Sequence, residues 1–510
     1  MKTQLIRLTS LIAGIFLFDY LFFNQEPGIN AFLFVLIILG LLKVSGRDLI
    51  STKQQLYSML GLLGAGTAVA LYNTDLSILV YFGAFAVFIG FSTQPALRQM
   101  LNSALIAAAN FFKAPFALIV ELSELLKIKK QLPALWKALR IALIPIGLLF
   151  IFTTIFRFAN PIFNELFLNL DLLFDRFLLW IEQYLSVGHI VFLCFTTAIM
   201  TGILYRGKFH RLLHKESLHP DQINRRIKRK RFSFEDKIRM TALKDEYKIG
   251  FLLLVTLNFL LLIVNITEVL WLKKEYSLSS AASMSQNLHD GTNLLIISIL
   301  LSIAVMIVLF RGNLNFYSKN KWLIRGAVAW IVQNILLGLN VAMRNWYYIS
   351  QYGLTYKRIG IYFFLAVVVT GLILLYLKIR DKRSVWFLLR TNSWNLYFFL
   401  ILLSLINWDY LIIRYNLRPA APTVDVQYLM EMRRRNLKQL VEVESILEKR
   451  NTNFPDSIAI VLEEKSIGFL ASQENRFILS KNIVEWRTEL FLRKKLEGNN
   501  LPVKTGRQDK

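Results

Sequence analysis

The stretch RNWYYISQYGLTYKRI, residues 344–359, lies between two oily runs, AVAWIVQNILLGLNVAM (327–343) and GIYFFLAVVVTGLILLYL (360–377). Neither run carries a charge, and each reaches the roughly 17–25 residues that a helix needs to cross a hydrocarbon layer. The polar stretch then reads as a short connection between two membrane spans. Gly353 offers its turn. Trp346, Tyr347, Tyr348, Tyr352 and Tyr356 suit the membrane–water interface, where amphipathic rings settle. The cations Arg344, Lys357 and Arg358 are not explained by a plain turn.

The same pattern recurs along the 510 residues, 55% of which are hydrophobic. Apolar runs fall at about 5–23, 29–45, 54–72, 76–92, 141–158, 188–205, 249–271, 293–310, 326–343, 359–377 and 394–413. The expectation is an all-α, polytopic transmembrane bundle of about eleven spans with a small helical extramembrane domain at the C-terminus. The net charge of +26 has no nucleic-acid recognition motif beside it. It is better read through the loops, because Lys and Arg collect on the cytoplasmic side. Loops 43–53, 206–248, 311–325 and 378–390 are basic, and 206–248 alone holds fourteen Lys/Arg against six Asp/Glu. These should face the cytoplasm. The N-terminus should lie there too, in an uncleaved first span, and the tail should be extracytoplasmic. The single cysteine, Cys194, excludes an intrachain disulfide and a cysteine zinc site.

Four units are expected. Residues 1–158 form an N-terminal bundle, and within it 101–122 is a cytoplasmic-side hairpin or interfacial element, because Lys113 and Pro115 interrupt its apolar run. Residues 159–187 form an amphipathic extracytoplasmic helix, with Asp171, Asp175 and Glu182 on one face. Residues 188–414 form a C-terminal bundle carrying the basic loop 206–248. Residues 415–510 form the helical tail.

Polar residues inside spans are costly and draw the first attention. Gln333, Asn340 and Arg344 follow at steps of seven and four. Asn258, Asn265 and Glu268 follow at steps of seven and three. Each set shares one helical face. Asn407 and Asp409 end the last span, and Arg358 begins the one before it. These nine residues are the candidate polar cavity. The competing reading is interhelical hydrogen bonding that holds the bundle together. His210 and His214 share a helical face but lack a zinc signature, so no metal and no cofactor is expected. Walker, nucleophile-elbow and dinucleotide motifs are missing, and no internal repeat marks a transporter.

LHDGTNLLI (288–296), RNWYYISQYGLTYKRI (344–359), NWDYLIIRYNL (407–417) and VDVQYL (424–429) resemble the C-terminal half of a bacterial membrane family, the domain of unknown function 4173, close to the 4153 group. The similarity covers roughly 180–440. Its most specific parts are Tyr348, Gly353, Leu354, Thr355 and Arg358, and the Asp-x4-Arg-Tyr-Asn arrangement from Asp409. The resemblance implies a multi-pass protein of a bacterial inner membrane and brings no activity with it. The functional expectation is a non-enzymatic envelope protein that binds membrane lipids, or a protein partner through its tail. The alternatives are a small-solute transporter with a cavity between helices and a membrane-embedded transferase using Asp409, Arg344 or Arg358.

Overall fold

The computed structural model describes residues 2–125, 132–160, 163–164, 176, 186–207, 209–223, 243–277, 284–310, 312–317, 320–418, 425–432, 436–450, 457–474 and 476–498. The expected amphipathic helix at 159–187 and the centre of the basic loop, 224–242, lie outside them. Among the described residues every regular element is helical, apart from one isolated bridge between Gln222 and Arg383.

In chain order the helices are α1 (Lys2–Phe22), α2 (Ile29–Val44), α3 (Lys53–Tyr72), α4 (Asp75–Thr93), α5 (Met100–Leu125), α6 (Leu132–Ala159), α7 (Val187–Leu204), α8 (His210–Ser217), α9 (Leu243–Ser277), α10 (Met284–Leu309), α11 (Lys321–Tyr352), α12 (Tyr356–Arg380), α13 (Val385–Ser404), α14 (Trp408–Asn416), α15 (Val426–Met430), α16 (Leu437–Glu442), α17 (Glu444–Lys449), α18 (Ile458–Glu474) and α19 (Ile483–Gly498).

Local chemistry sets their ends. Thr52 and Gln55 form a reciprocal capping box at the start of α3. Asn73 closes α3 in the left-handed region, and Thr74 accepts the Ser77 N–H at 3.0 Å to open α4. Ser384 caps α13 and Asn407 caps α14 in the same way. Gly353, at φ 77°, ends α11 where a side chain would be strained.

Among the described residues, eight helices are long and apolar enough to cross a membrane, and nine if α13 and α14 count as one span broken by 61°. That is a polytopic bundle, but the count of eleven is corrected in two respects. Of the expected spans, Ile29–Val44 is a shorter apolar helix, and in the longer helices α6 and α10 the apolar parts, Pro145–Ala159 and Leu295–Leu309, fall short of a full span. Sixteen residues rise only about 24 Å, short of an average hydrocarbon core. Met100–Ser123, expected as an interfacial element or hairpin, has the length and composition of a span.

The hairpin form expected for 101–122 is also not what is seen, because α5 is one continuous helix through Pro115. Its contacts run across one end of the bundle. Ser103 Oγ donates to Val87 O at 2.7 Å, near the C-terminal end of α4. Asn110 Nδ2 donates to Gly202 O and Tyr205 O, at the C-terminal end of α7. Glu121 meets Arg7, near the N-terminal end of α1, at 3.6 Å. Between Ser103 and Glu121 the helix advances about 27 Å while staying beside those three neighbouring ends. Outward it exposes Leu101, Leu105, Phe112, Phe116 and Ile119, an apolar stripe at helical spacing.

Packing groups the helices by neighbourhood more than by chain order. One core joins α1–α5 and α7 with Tyr397 and Ile401 of α13. A second joins α9–α12 with Leu388 at the start of α13. The tail builds a third core with Ile412 and Ile413 of α14 and Ile359 of α12. The tail is therefore docked. The Ile29 N–H donates to Lys481 O at 3.2 Å, Arg476 pairs with Glu26 at 2.8 Å, and Tyr20 meets Phe477 edge to face. A Cβ added at Gly28 would stand 2.4 Å from Ser480 O, so glycine is what lets these backbones approach. The bundle thus has a tail end, with the 23–28, 73–74 and 353–355 turns, and an opposite end holding Arg47, Lys378, Arg383 and Arg390.

Candidate functional site

The two polar stripes pair with each other. α9 and α11 run parallel, and Asn258 Nδ2 donates to Gly326 O at 3.1 Å while its Oδ1 accepts from Gln333 Nε2 at 2.8 Å. Seven residues on, Asn265 Nδ2 donates to Gln333 O at 3.2 Å, and its Oδ1 accepts from Asn340 Nδ2 at 3.3 Å. At the far end Arg344 Nη2 meets Glu268 Oε2 at 2.6 Å, with side-chain exposures of 8% and 15%. Six of the nine candidate residues therefore form an interhelical ladder whose rungs pair amide groups that lipid could not satisfy, although the Gln333 Oε1 itself takes no hydrogen bond among the described residues.

Arg358 has a different position. Its guanidinium donates to Tyr352 O at 2.8 Å and to Gly353 O, so it closes the C-terminal end of α11, and it stands 5.8 and 5.9 Å from the Tyr348 and Tyr352 rings. A cation at the negative end of a helix is favourable. The turn is clamped from the other side by Asn416, whose amide exchanges hydrogen bonds with Leu354 N and Leu354 O at 2.6 and 2.9 Å.

Asn407 and Asp409 reach a cavity of about 540 Å³ at the tail end. Its walls come from the α3–α4 turn (Tyr72, Thr74, Asp75, Leu76), the start of α12 (Tyr356, Ile359, Gly360), the α13–α14 break (Leu403, Asn407, Trp408, Asp409) and the tail (Tyr428, Glu431, Met432, Asn436, Val484). Asp409 is 5% exposed and accepts from Asn436 Nδ2. The Tyr428 hydroxyl accepts from the Tyr356 N–H at 3.3 Å. Burial first, then the negative charge of Asp409, pushes that hydroxyl up to about 12, against the pull of Arg358. Tyr428 is thus a neutral donor and acceptor at ordinary pH.

The lining mixes apolar side chains, Leu76, Ile359, Leu403, Met432 and Val484, with carboxylates, amides and phenols. Carboxylates only accept hydrogen bonds, so the polar part of the lining suits a head group that donates them. Among the described lining residues there is no histidine, cysteine or serine. No cluster of three metal-ligating side chains occurs among the described residues, and His210 and His214 lie in α8 on the opposite end.

The structure joins pieces that the sequence reading kept apart. RNWYYISQYGLTYKRI, NWDYLIIRYNL and VDVQYL meet at this cavity: Asn416 clamps Leu354, Tyr428 meets Tyr356, and Asp409 lies beside Asn436. Asn416 and Tyr428 fall inside quoted motifs, but their polarity is unremarkable outside a span and does not mark them as site residues. Asn436, Asp75 and Glu431 carried no local signal.

No curated protein and no solved structure matches the chain. A family match covers residues 58–443. It reaches well into the N-terminal half, beyond the 180–440 of the motif resemblance, and it falls on the 4153 group, the neighbour of the 4173 family that the motifs resemble. By that match the protein, a multi-pass membrane chain in which the α3–α4 turn, α12, the α13–α14 break and the tail line one cavity, belongs to the family described as Domain of unknown function (DUF4153).

Proposed function

We propose that the protein is a non-enzymatic binding protein of a bacterial cytoplasmic membrane, and that its tail-end cavity holds the hydrogen-bond-donating head of an amphiphile. The observation that carries this reading is a mainly apolar cavity with carboxylates, amides and phenols in its lining, built at the helix ends and roofed by the docked tail. A ligand with a large oily part and a polar head matches such a lining.

The basic loops at the opposite end support a cytoplasmic position for that end and an extracytoplasmic one for the cavity and tail. The crosswise contacts of α5 support an interfacial place for it on the cytoplasmic side. The ladder speaks against transport through the polar stripes, since their amides bind one another across the α9–α11 contact. Glu268 holds Arg344, and the α11 terminus holds Arg358, which speaks against a transferase built on these cations.

The test is purification of the full chain in mild detergent followed by lipid analysis. Ile359→Trp fills the cavity floor and is expected to remove one class of co-purifying amphiphile, whereas Leu339→Trp, on the exposed face of α11, is expected to retain it. Identical lipid profiles in the two variants would overturn the assignment of the cavity.

A further inference from the structure

A second concavity lies at the opposite end from the tail, on the outer side of the α9–α11 pair. It is an open groove of about 460 Å³. Phe251, Val255, Phe259 and Leu262 recur at helical spacing along its α9 wall, and all four are exposed. Trp322, Gly326, Ala329 and Gln333 do the same along α11. Each wall rises about 16 Å over its eleven residue steps, a length that suits an extended acyl chain.

Cations gather at the mouth of the groove, with the acidic Asp245 and Glu246 one turn further out on α9. Arg325 lines it, with its guanidinium 4.8 Å from the centre of the exposed Trp322 ring. Lys321 lies one turn earlier on the same face, and Lys248 precedes Phe251 by three residues on α9; both are exposed. The ladder fixes their relative height, because Asn258 bonds to both Gly326 and Gln333, which sets an offset of about seventy residues between α9 and α11. Lys248 therefore stands close to the level of Lys321. Two parallel helices put cations at one height, beside a tryptophan suited to the interface, above an apolar trough.

We propose that this groove is a site for an anionic phospholipid of the surrounding leaflet. One acyl chain lies between Phe251 and Leu262, and the phosphate rests among Lys248, Lys321 and Arg325. This site is independent of the tail-end cavity: it takes an anionic head at the basic end and needs no contribution from the tail.

The experiment uses the full chain in nanodiscs made from equal amounts of phosphatidylglycerol and phosphatidylcholine, with a photoreactive diazirine on the acyl chain of one or the other. Phosphatidylglycerol is expected to label the segments 251–262 and 322–333 several-fold more than phosphatidylcholine. Removing one cation should lower that excess by about five-fold at most, and Lys321→Gln with Arg325→Gln should erase it while phosphatidylcholine labelling holds. Ala329→Trp, which fills the trough, should lower labelling by both lipids. Lys248→Gln, at an exposed position, repeats the charge test should the double variant fail to fold. Equal labelling by the two lipids in the unaltered protein, or a phosphatidylglycerol excess that survives the charge variants, overturns the proposal.

Discussion

Glu268 and Arg344 give the sharpest test of whether the polar stripes are structural. Their contact is 2.6 Å, and both side chains are largely buried between α9 and α11. At about 4 Å between charges and an effective dielectric near 20, the attraction is about 4 kcal/mol. Removing one partner of a buried pair costs roughly 3–5 kcal/mol, because the other charge loses its compensation. Glu268→Gln and Arg344→Met are therefore each expected to lower unfolding stability by about 3–4 kcal/mol. The double replacement, Glu268→Met with Arg344→Met, leaves neither charge behind and should sit within about 1 kcal/mol of the unaltered protein, since apolar replacement of a whole buried pair is often neutral or better. The assay is reversible unfolding by dodecyl sulfate in mixed micelles, followed by circular dichroism. The reasoning fails if the double variant loses the sum of the two single losses, or if Glu268→Gln costs almost nothing, as it would for an arginine held ready for an external anion.

Two more expectations follow from the docked tail. Ser472→Cys in a Cys194→Ala background should react with an impermeant thiol reagent in intact cells, and protection there would place the tail on the other side. Tyr428 holds its proton more tightly in the folded protein, up to about 12, than in the unfolded chain, where tyrosine ionises near 10. Its contribution to stability is therefore complete below pH 10 and is lost as pH rises from 10 towards 12. The unfolding midpoint of Tyr428→Phe should fall less steeply over that window than that of the unaltered chain, and parallel slopes would contradict the assignment.

The ladder was half legible in the sequence. Steps of seven placed Asn258 and Asn265 on one face, and Gln333 and Asn340 on another, because helical periodicity is local. That these two faces meet each other was not legible, since it depends on α10 returning the chain so that α9 and α11 run parallel. Arg358 was unreadable for a related reason: its partners are carbonyls freed only by the turn at Gly353. α5 misled because Pro115 and Lys113 look like interruptions of a span. Against the end of the bundle Lys113 lies 4.8 Å from the Phe209 ring, and a cation within about 6 Å of an aromatic ring is attracted to it. The cavity was hidden most completely, as Asp75 stands hundreds of residues from Asp409 and Asn436 in sequence, and the three line one cavity only when the tail docks.

The constant offset of the ladder also makes it a register key. The rungs join residues 75 or 76 apart, and each side steps by seven and then by three or four. A slide of one helical turn, about 5.4 Å, would set Asn258 against Ala329 or Leu337 and part Glu268 from Arg344. Intermediate positions offer the amides nothing to bind in an apolar surround. The α9–α11 pair is thus notched rather than greased: whatever movement the bundle makes at its tail end, these two helices make it together.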